Sequence, residues 1–371
     1  VLLVVGGLLL ESYVRLLDTP LGFNAERIMT MQISLPALRY PSEPSRRAFY
    51  ASVLEAIRRM PGVTDASACT LLPFGYGETV QPFRIAGEPR TIAAHFANVN
   101  KILPGFFHTL RIPLIAGRYL DDRDRPGGEP AVLIDQNLAR HDLAGKNPLR
   151  QQIELSTGQR FSIAGVVGNI RIDGLDVTSR PTLYFSAAQL PVTDMSLVVK
   201  ASNAIDRLPT MIQDIVEKID SGQPIYDIAS LNSRVDRSLS TRRFVALLLI
   251  SFAAIGLAVT AVGLYGLLSY SVALRRREFG IRAAVGATPR DLSALVFRHG
   301  IQLVLSGAAA GGLAAIFTAR YLASELSGLR VADSMTWISI ATVLAVTSTL
   351  ACLGPSWRAS RTNALALLKQ D

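Results

Sequence analysis

Charge is scarce in this chain: 18% of its 371 residues are Asp, Glu, Lys or Arg, against about 25% in an ordinary soluble domain. Cysteine is scarcer. Cys69 lies in a polar stretch and Cys352 in an apolar run, so no bridge between them is expected, and without a CxxC pair or a Cys/His cluster neither zinc nor an iron–sulfur centre has support. The four histidines, His95, His108, His141 and His299, stand singly. Gly145-Lys146 has Arg140 in place of the first glycine of a phosphate-binding loop and Asn147 in place of its Ser or Thr. GxSxG, HExxH and kinase-type motifs are absent. Asp121-Asp122-Arg123-Asp124 lacks the alternating spacing and closing Glu of a calcium loop and reads as a solvated turn. The basic residues have no aromatic interleaving, so nucleic acid is not an expected partner. No catalytic, cofactor or metal site is expected, and the chain does not read as an enzyme.

Apolar residues are what the chain has instead, at 49% with a mean hydropathy of +0.31. Three uncharged runs, Phe244–Leu274, Gly300–Ala319 and Met335–Trp357, match the roughly 20 apolar residues that cross a bilayer. We expect transmembrane helices near 244–274, 292–322 and 335–357. Val1–Leu17 reads as a fourth, truncated one, with the chain as a piece of a longer protein. The net charge of +9 is placed informatively. Arg275, Arg276, Arg277, Arg282 and Arg290 crowd one short connector, and Arg358, Arg361 and Lys369 the tail, whereas Tyr321–Ser334 carries Arg330 balanced by Glu325 and Asp333. Short-loop arginines stay in the cytoplasm. Loop 275–291 and the C-terminus are therefore expected inside, and the long segment 18–240 outside. Gly307 and Gly311, with Gly312, form a small-residue face suited to helix packing. The apolar runs hold no Asp, Glu, Lys or Arg, which argues against a secondary transporter or ion pump.

The outer segment reads as mixed α/β. Ile28–Leu35 is strand-like, Ser45–Met60 carries a helical apolar stripe, and Val63–Thr70 is the return strand. The order recurs in strand Met195–Lys200, a helix over Ala204–Ile219 behind Asn203 as N-cap, turn Ser221-Gly222 and strand Ile225–Ala229. Two such units are expected to form one subdomain from the ends of the segment. Between them, Thr91–Val99, Ala131–Asp135 and Phe161–Val167 read as strands and Pro126-Gly127-Gly128 as a loop. Leu231–Thr241 is expected to run as helix into the membrane.

The connector Arg275–Arg290 sets Phe279, Ile281 and Val285 among charges, with Ala284, Gly286 and Ala287 allowing close approach and Thr288-Pro289 opening the next helix. Anchoring alone requires arginines but not this apolar and Gly/Ala arrangement, which points to docking of a cytoplasmic partner. Arg276-Arg-Glu-Phe-Gly-Ile-Arg-Ala-Ala-Val-Gly-Ala287 resembles the signature of FtsX/MacB-type permeases, with Phe279 where Ile is commoner. Val262-Gly-Leu-Tyr-Gly-Leu-Leu-Ser-Tyr-Ser-Val272 and Pro355-Ser-Trp-Arg-Ala-Ser-Arg361 with Ala364-Leu365 are similar to the same family. Pro104–Arg118 and Ile163-Ala-Gly-Val-Val-Gly-Asn-Ile-Arg171 resemble the MacB-like periplasmic core domain, and Gly7–Leu17 resembles the start of the second half of the duplicated permeases common in Acidobacteria.

The resemblance implies an α-helical transmembrane bundle of four helices, the first truncated, with a large mixed α/β periplasmic domain. Its division is 1–17, 18–240 and 241–371. It implies a bacterial inner-membrane ABC-type permease that binds no cofactor itself. A cytoplasmic ABC ATPase subunit uses the ATP and docks on Arg277, Glu278, Phe279, Gly280, Ile281, Arg282, Gly286 and Ala287. Motion passes to the periplasmic domain for export or efflux. A second permease repeat or a homodimer and a periplasmic partner are the other implied partners. The alternative is a membrane-anchored scaffold or regulator of a periplasmic partner that transports nothing.

Overall fold

The computed structural model describes the chain except residues 1, 18, 76–78, 90, 92, 173, 176–178, 191, 203–206, 276–277, 279–280, 283–284, 286–287, 326–333 and 361–371. It divides into two compact units, Thr19–Leu239 and Val1–Asp18 with Ser240–Asp371.

In the first unit, β1 (Ile28–Ser34), α2 (Glu43–Arg58) and β2 (Val63–Cys69) form one strand–helix–strand piece. The other consists of β10 (Asp194–Ala201), α5 (Leu208–Ile219) and β11 (Ile225–Ser230). They interleave in the strand order β11-β1-β10-β2, as expected of two units forming one subdomain. Residues of alternating register place Met29, Met31, Ile33, Leu197, Val199, Ala66 and Ala68 on one face, against Phe49, Val53 and Ile57 of α2 and Ile212 and Val216 of α5. Ser42 caps α2, its hydroxyl accepting from the Ser45 N–H, with Pro44 in the first turn. The start of α5 differs from expectation. Asn203 lies outside the described residues, and the residue before the helix is Arg207, whose side chain makes no capping bond. Pro209 is compatible with the first helical turn, and the buried stripe Leu208, Ile212 and Val216 fixes the helix by packing.

The middle of the unit closes on itself. β3 (Val80–Ile85), β4 (His95–Ile102), β7 (Gln152–Leu155), β8 (Arg160–Val167), β6 (Ala131–Asp135) and β9 (Thr182–Ser186) pair in the circuit β4-β3-β7-β8-β6-β9, and β9 returns to β4 as a parallel neighbour. Closure leaves this ring no free edge. Its interior is filled by side chains two residues apart: Phe83 and Ile85, Ala97 and Val99, Val132 and Ile134, Ile153 and Leu155, Phe161 and Ile163, Leu183 and Phe185. The outward residues Ile102, Leu133, Val167 and Tyr184 join Phe106, Phe107 and Leu110 of α3 (Phe106–Leu110) and Ile28, Cys69 and Val198 of the first sheet in a second core. β5 (Leu114–Gly117) pairs with β8, and α4 (Gln136–His141) follows β6 directly.

Helix α6 (Leu231–Leu274) begins in the first unit, to which Leu231–Leu239 belongs, and continues into the second, where α1 (Leu2–Leu17) packs on it; a Cβ at Gly6 would lie 3.8 Å from atoms of Leu249 and Ile250. α7 (Pro289–Glu325) and α8 (Ser334–Ser360) pack on each other, and α1 touches both. Among the described residues two helical stretches are long and apolar enough to cross a membrane, α6 and Gly300–Thr318 of α7, and α8 adds the shorter apolar run Ile338–Ala351. Phe244, Val259, Val262, Leu267, Leu305, Leu313, Phe317 and Leu350 are all exposed. Helices this apolar with side chains turned outward suit lipid rather than water.

Candidate functional site

The connector between α6 and α7 is partly described. Its helical hydrogen bonding carries past Leu274, with the Arg275 N–H donating to the Ser271 carbonyl, and resumes with Val285 donating to Ile281. Glu278 and Arg282, one helical turn apart, form an ion pair at 2.7 Å with both side chains half-exposed. Arg282 is thus presented together with its own carboxylate rather than as a lone cation. An exposed pair of this spacing contributes only about 0.3–0.5 kcal/mol. Beside it Ile281 and Val285 stand out, Val285 at 84% exposure. Arg277, Phe279, Gly280, Gly286 and Ala287 lie outside the described residues. The next helix opens on a reciprocal cap: the Thr288 N–H donates to the Asp291 carboxylate at 2.9 Å and the Asp291 N–H to the Thr288 hydroxyl at 3.4 Å. The result is an apolar knob on a basic, capped turn, chemistry suited to an apolar slot with acidic or carbonyl rims on a partner.

Gly307 and Gly311 face open space. A Cβ built on either meets no heavy atom within 4 Å.

The first unit holds a cleft of 370 Å³ lined by Pro104, Phe106, Phe107, His108, Arg118 and Tyr119 among others. Beside it, Asp121–Asp124 forms a turn as expected, solvated at Asp122 and Arg123, but its last member turns inward. Asp124 is 2% exposed and receives both arms of the Arg118 guanidinium, at 2.7 and 2.8 Å, and the Asp121 N–H at 2.9 Å. The bond to Asp124 raises the Arg118 pKa further. Asp121, held by Arg123, stays outside with its carboxyl lowered to about 2. Tyr119 stacks on Phe107 and meets His108 edge-on. Sequence inspection missed this pairing because an acidic run gives no sign of which member turns inward; Gly117-Arg118 just before it was the available clue.

His95 also has company the sequence did not reveal. It stacks on Phe83, with Nδ1 2.7 Å from Asp142 and Nε2 3.3 Å from Glu88. The carboxylates sit on opposite ring nitrogens and do not converge on one point. Among the described residues no group of three or more His, Cys, Asp or Glu side chains is arranged to hold a metal.

Comparison with known proteins decides the family. The MacB-like periplasmic core domain family matches residues 14–216, more than half of the chain, and the FtsX-like permease C-terminal family matches residues 250–364. The chain belongs to the FtsX/MacB-like ABC transporter permeases. Members of this family are transport components rather than enzymes, and they reside in the inner membrane with a periplasmic domain. Among curated relatives, the pyoverdine export ATP-binding/permease protein PvdT of Pseudomonas syringae pv. tomato is 24% identical over 70% of this chain and 40% of its own length. The macrolide export ATP-binding/permease protein MacB of Haemophilus ducreyi is 25% identical over 62% of this chain and 34% of its own. This permease chain thus spans about 40% or less of the curated relatives it matches. Among solved structures, the periplasmic region of MacB from Actinobacillus actinomycetemcomitans is similar over 59% of this chain and 95% of its own, with 14% identity and a TM-score of 0.41.

Proposed function

We propose that this chain is the permease subunit of an ABC-type exporter that transmits ATP-driven motion of a separate cytoplasmic ATPase to a periplasmic domain. Residues 18–240 lie in the periplasm, and loop 275–291 and the C-terminus lie in the cytoplasm. Helices near 244–274, 292–322 and 335–357, with the truncated helix 1–17, form the four-helix membrane part. The observation that carries this reading is the capped, basic turn between the apolar helices α6 and α7, with Ile281 and Val285 exposed on it. Arg277, Glu278, Phe279, Gly280, Ile281, Arg282, Gly286 and Ala287 dock the ATPase, the apolar residues entering a slot and the Glu278–Arg282 pair meeting its rim. The open glycine face at Gly307 and Gly311 supports close packing on a second permease repeat or a second copy. Export is the work carried over from the relatives, whose names give them export roles.

The test is co-purification of the full-length protein with its ATPase from membranes, followed by hydrolysis rates with and without the permease. A stable complex and a changed rate are expected. Ile281→Asp or Val285→Asp should weaken association at least about tenfold, or roughly 1.4 kcal/mol. ATPase binding that survives both substitutions would remove the docking assignment. A protein that holds a periplasmic partner but no ATPase would instead be the scaffold.

A further inference from the structure

A guanidinium is buried where strand becomes helix. β11 ends at Ser230 and α6 begins at Leu231 with no intervening loop, Ser230 capping the first turn by accepting from the Ser233 N–H. One turn on, the Arg234 side chain is 3% exposed. Arginine is almost never buried unless its charge is met, and here the charge, Nε and Nη2 are met from two strands. Nε donates to the Thr30 hydroxyl of β1 at 2.8 Å, and that hydroxyl donates to the Ala229 carbonyl of β11 at 2.8 Å. Nη2 donates to the Asp227 carbonyl at 2.6 Å and pairs with the Asp227 carboxylate at 2.8 Å.

The strand is shaped for this. The register of β1 against β11 slips between Thr30 and Gln32, and Asp227 sits there at φ 51. A non-glycine residue in the left-handed region is uncommon and persists where its surroundings fix it. The bulge turns the carbonyl and carboxylate of one residue toward the same guanidinium. An apolar residue at position 234 would hold the helix by contact that tolerates sliding. A planar fork bound at three atoms on two strands fixes both the azimuth and the height of the helix turn.

We propose that Arg234 is a positioning residue, the clasp through which movement of α6 is imposed on β1 and β11. The proposal rests on the transmission reading above and adds where the motion enters the sheet. The first turn of α6 and the β11–β1 edge move as one piece because of this clasp, and severing it uncouples them.

The experiment is hydrogen–deuterium exchange by mass spectrometry on the full-length protein in lipid nanodiscs with its ATPase, with and without ATP. The variants are Arg234→Met, Arg234→Lys and Thr30→Val. Without nucleotide, Arg234→Met should speed exchange of the first-turn α6 amides and of β11 by at least tenfold, while α2 and β10 stay as in the parent. With ATP, the parent should change its exchange in β1 and β11, and Arg234→Met should lose that change while hydrolysing ATP at the parent rate. Arg234→Lys, keeping the charge but not the fork, should fall between, and Thr30→Val remains informative if Arg234→Met does not fold. Unchanged local exchange in Arg234→Met and Thr30→Val overturns the clasp. A full ATP response in these variants overturns its role in transmission. A parent with no ATP response overturns the transmission reading itself, and the nucleotide-free arm still reports on the clasp.

Discussion

Asp135 gives the sharpest test of the core. It is the last residue of β6, it is 2% exposed, and its carboxylate accepts the Leu138 N–H at 2.8 Å to start α4. Burial pushes its carboxyl up from 3.8 to about 7, with the backbone bonds from Leu138 and Thr182 opposing only part of the shift. The folded protein therefore holds this proton more tightly than the unfolded chain. Between about pH 4 and pH 7 the unfolded chain loses the proton first, so stability falls as pH rises through that window and is flat on either side. A shift of about three units corresponds to on the order of 4 kcal/mol at the upper end. Asp135→Asn copies the protonated acid: it keeps an acceptor for Leu138 and cannot ionise. The variant should match the parent near pH 4 and exceed it by a few kcal/mol at pH 8. The assay is urea unfolding from pH 4 to pH 8 followed by loss of β-sheet circular dichroism, because both tryptophans, Trp337 and Trp357, lie outside this unit. Parallel pH profiles for parent and variant would refute the assignment of a buried, proton-holding Asp135.

The Arg118–Asp124 pair should respond asymmetrically. Arg118→Met strands a carboxylate that is 2% exposed, a loss of about 3 kcal/mol, whereas Asp124→Asn leaves a partly exposed guanidinium and should cost less than half of that. Midpoints from thermal melts, at about 2–4 °C per kcal/mol for a unit of this size, separate the two, and equal shifts would argue against a buried pair. Gly117→Ala should prevent accumulation of folded protein, since a Cβ there would sit 2.3 Å from the Ala164 carbonyl at a φ of +79. Gly127→Ala, with a similar φ but open space, should cost only about 1 kcal/mol. Soluble yield after membrane extraction compares them.

Where local physics decides structure, the sequence was readable. Helix α2 was legible from its apolar stripe, although the Ser42 cap and Pro44 start it at Glu43 rather than at the expected Ser45, and Gly62 and Gly222 mark turns beside β2 and β11. The ring was only half visible. β3 carries Pro82, β5 and β7 are four residues long, and β9 is buried throughout, so none has a clean alternation. Its closure depends on the parallel pairs β4–β9 and β6–β8, which join residues far apart in the chain. In the connector between α6 and α7 the basic and apolar pattern was legible, but the Glu278–Arg282 pair that tempers its charge was not. The Arg234 clasp escaped because a register slip, invisible in one sequence, creates its acceptor.

The two-sided arrangement is tested most directly by thiol labelling in intact cells. Cys69 is fully buried and cannot report, so the probes belong at Leu38→Cys, where the native side chain is 98% exposed, and at Val285→Cys. An impermeant maleimide applied to cells with a permeabilised outer membrane should label position 38 at once and position 285 only after the inner membrane is opened. Labelling of both positions from the same side would contradict the account.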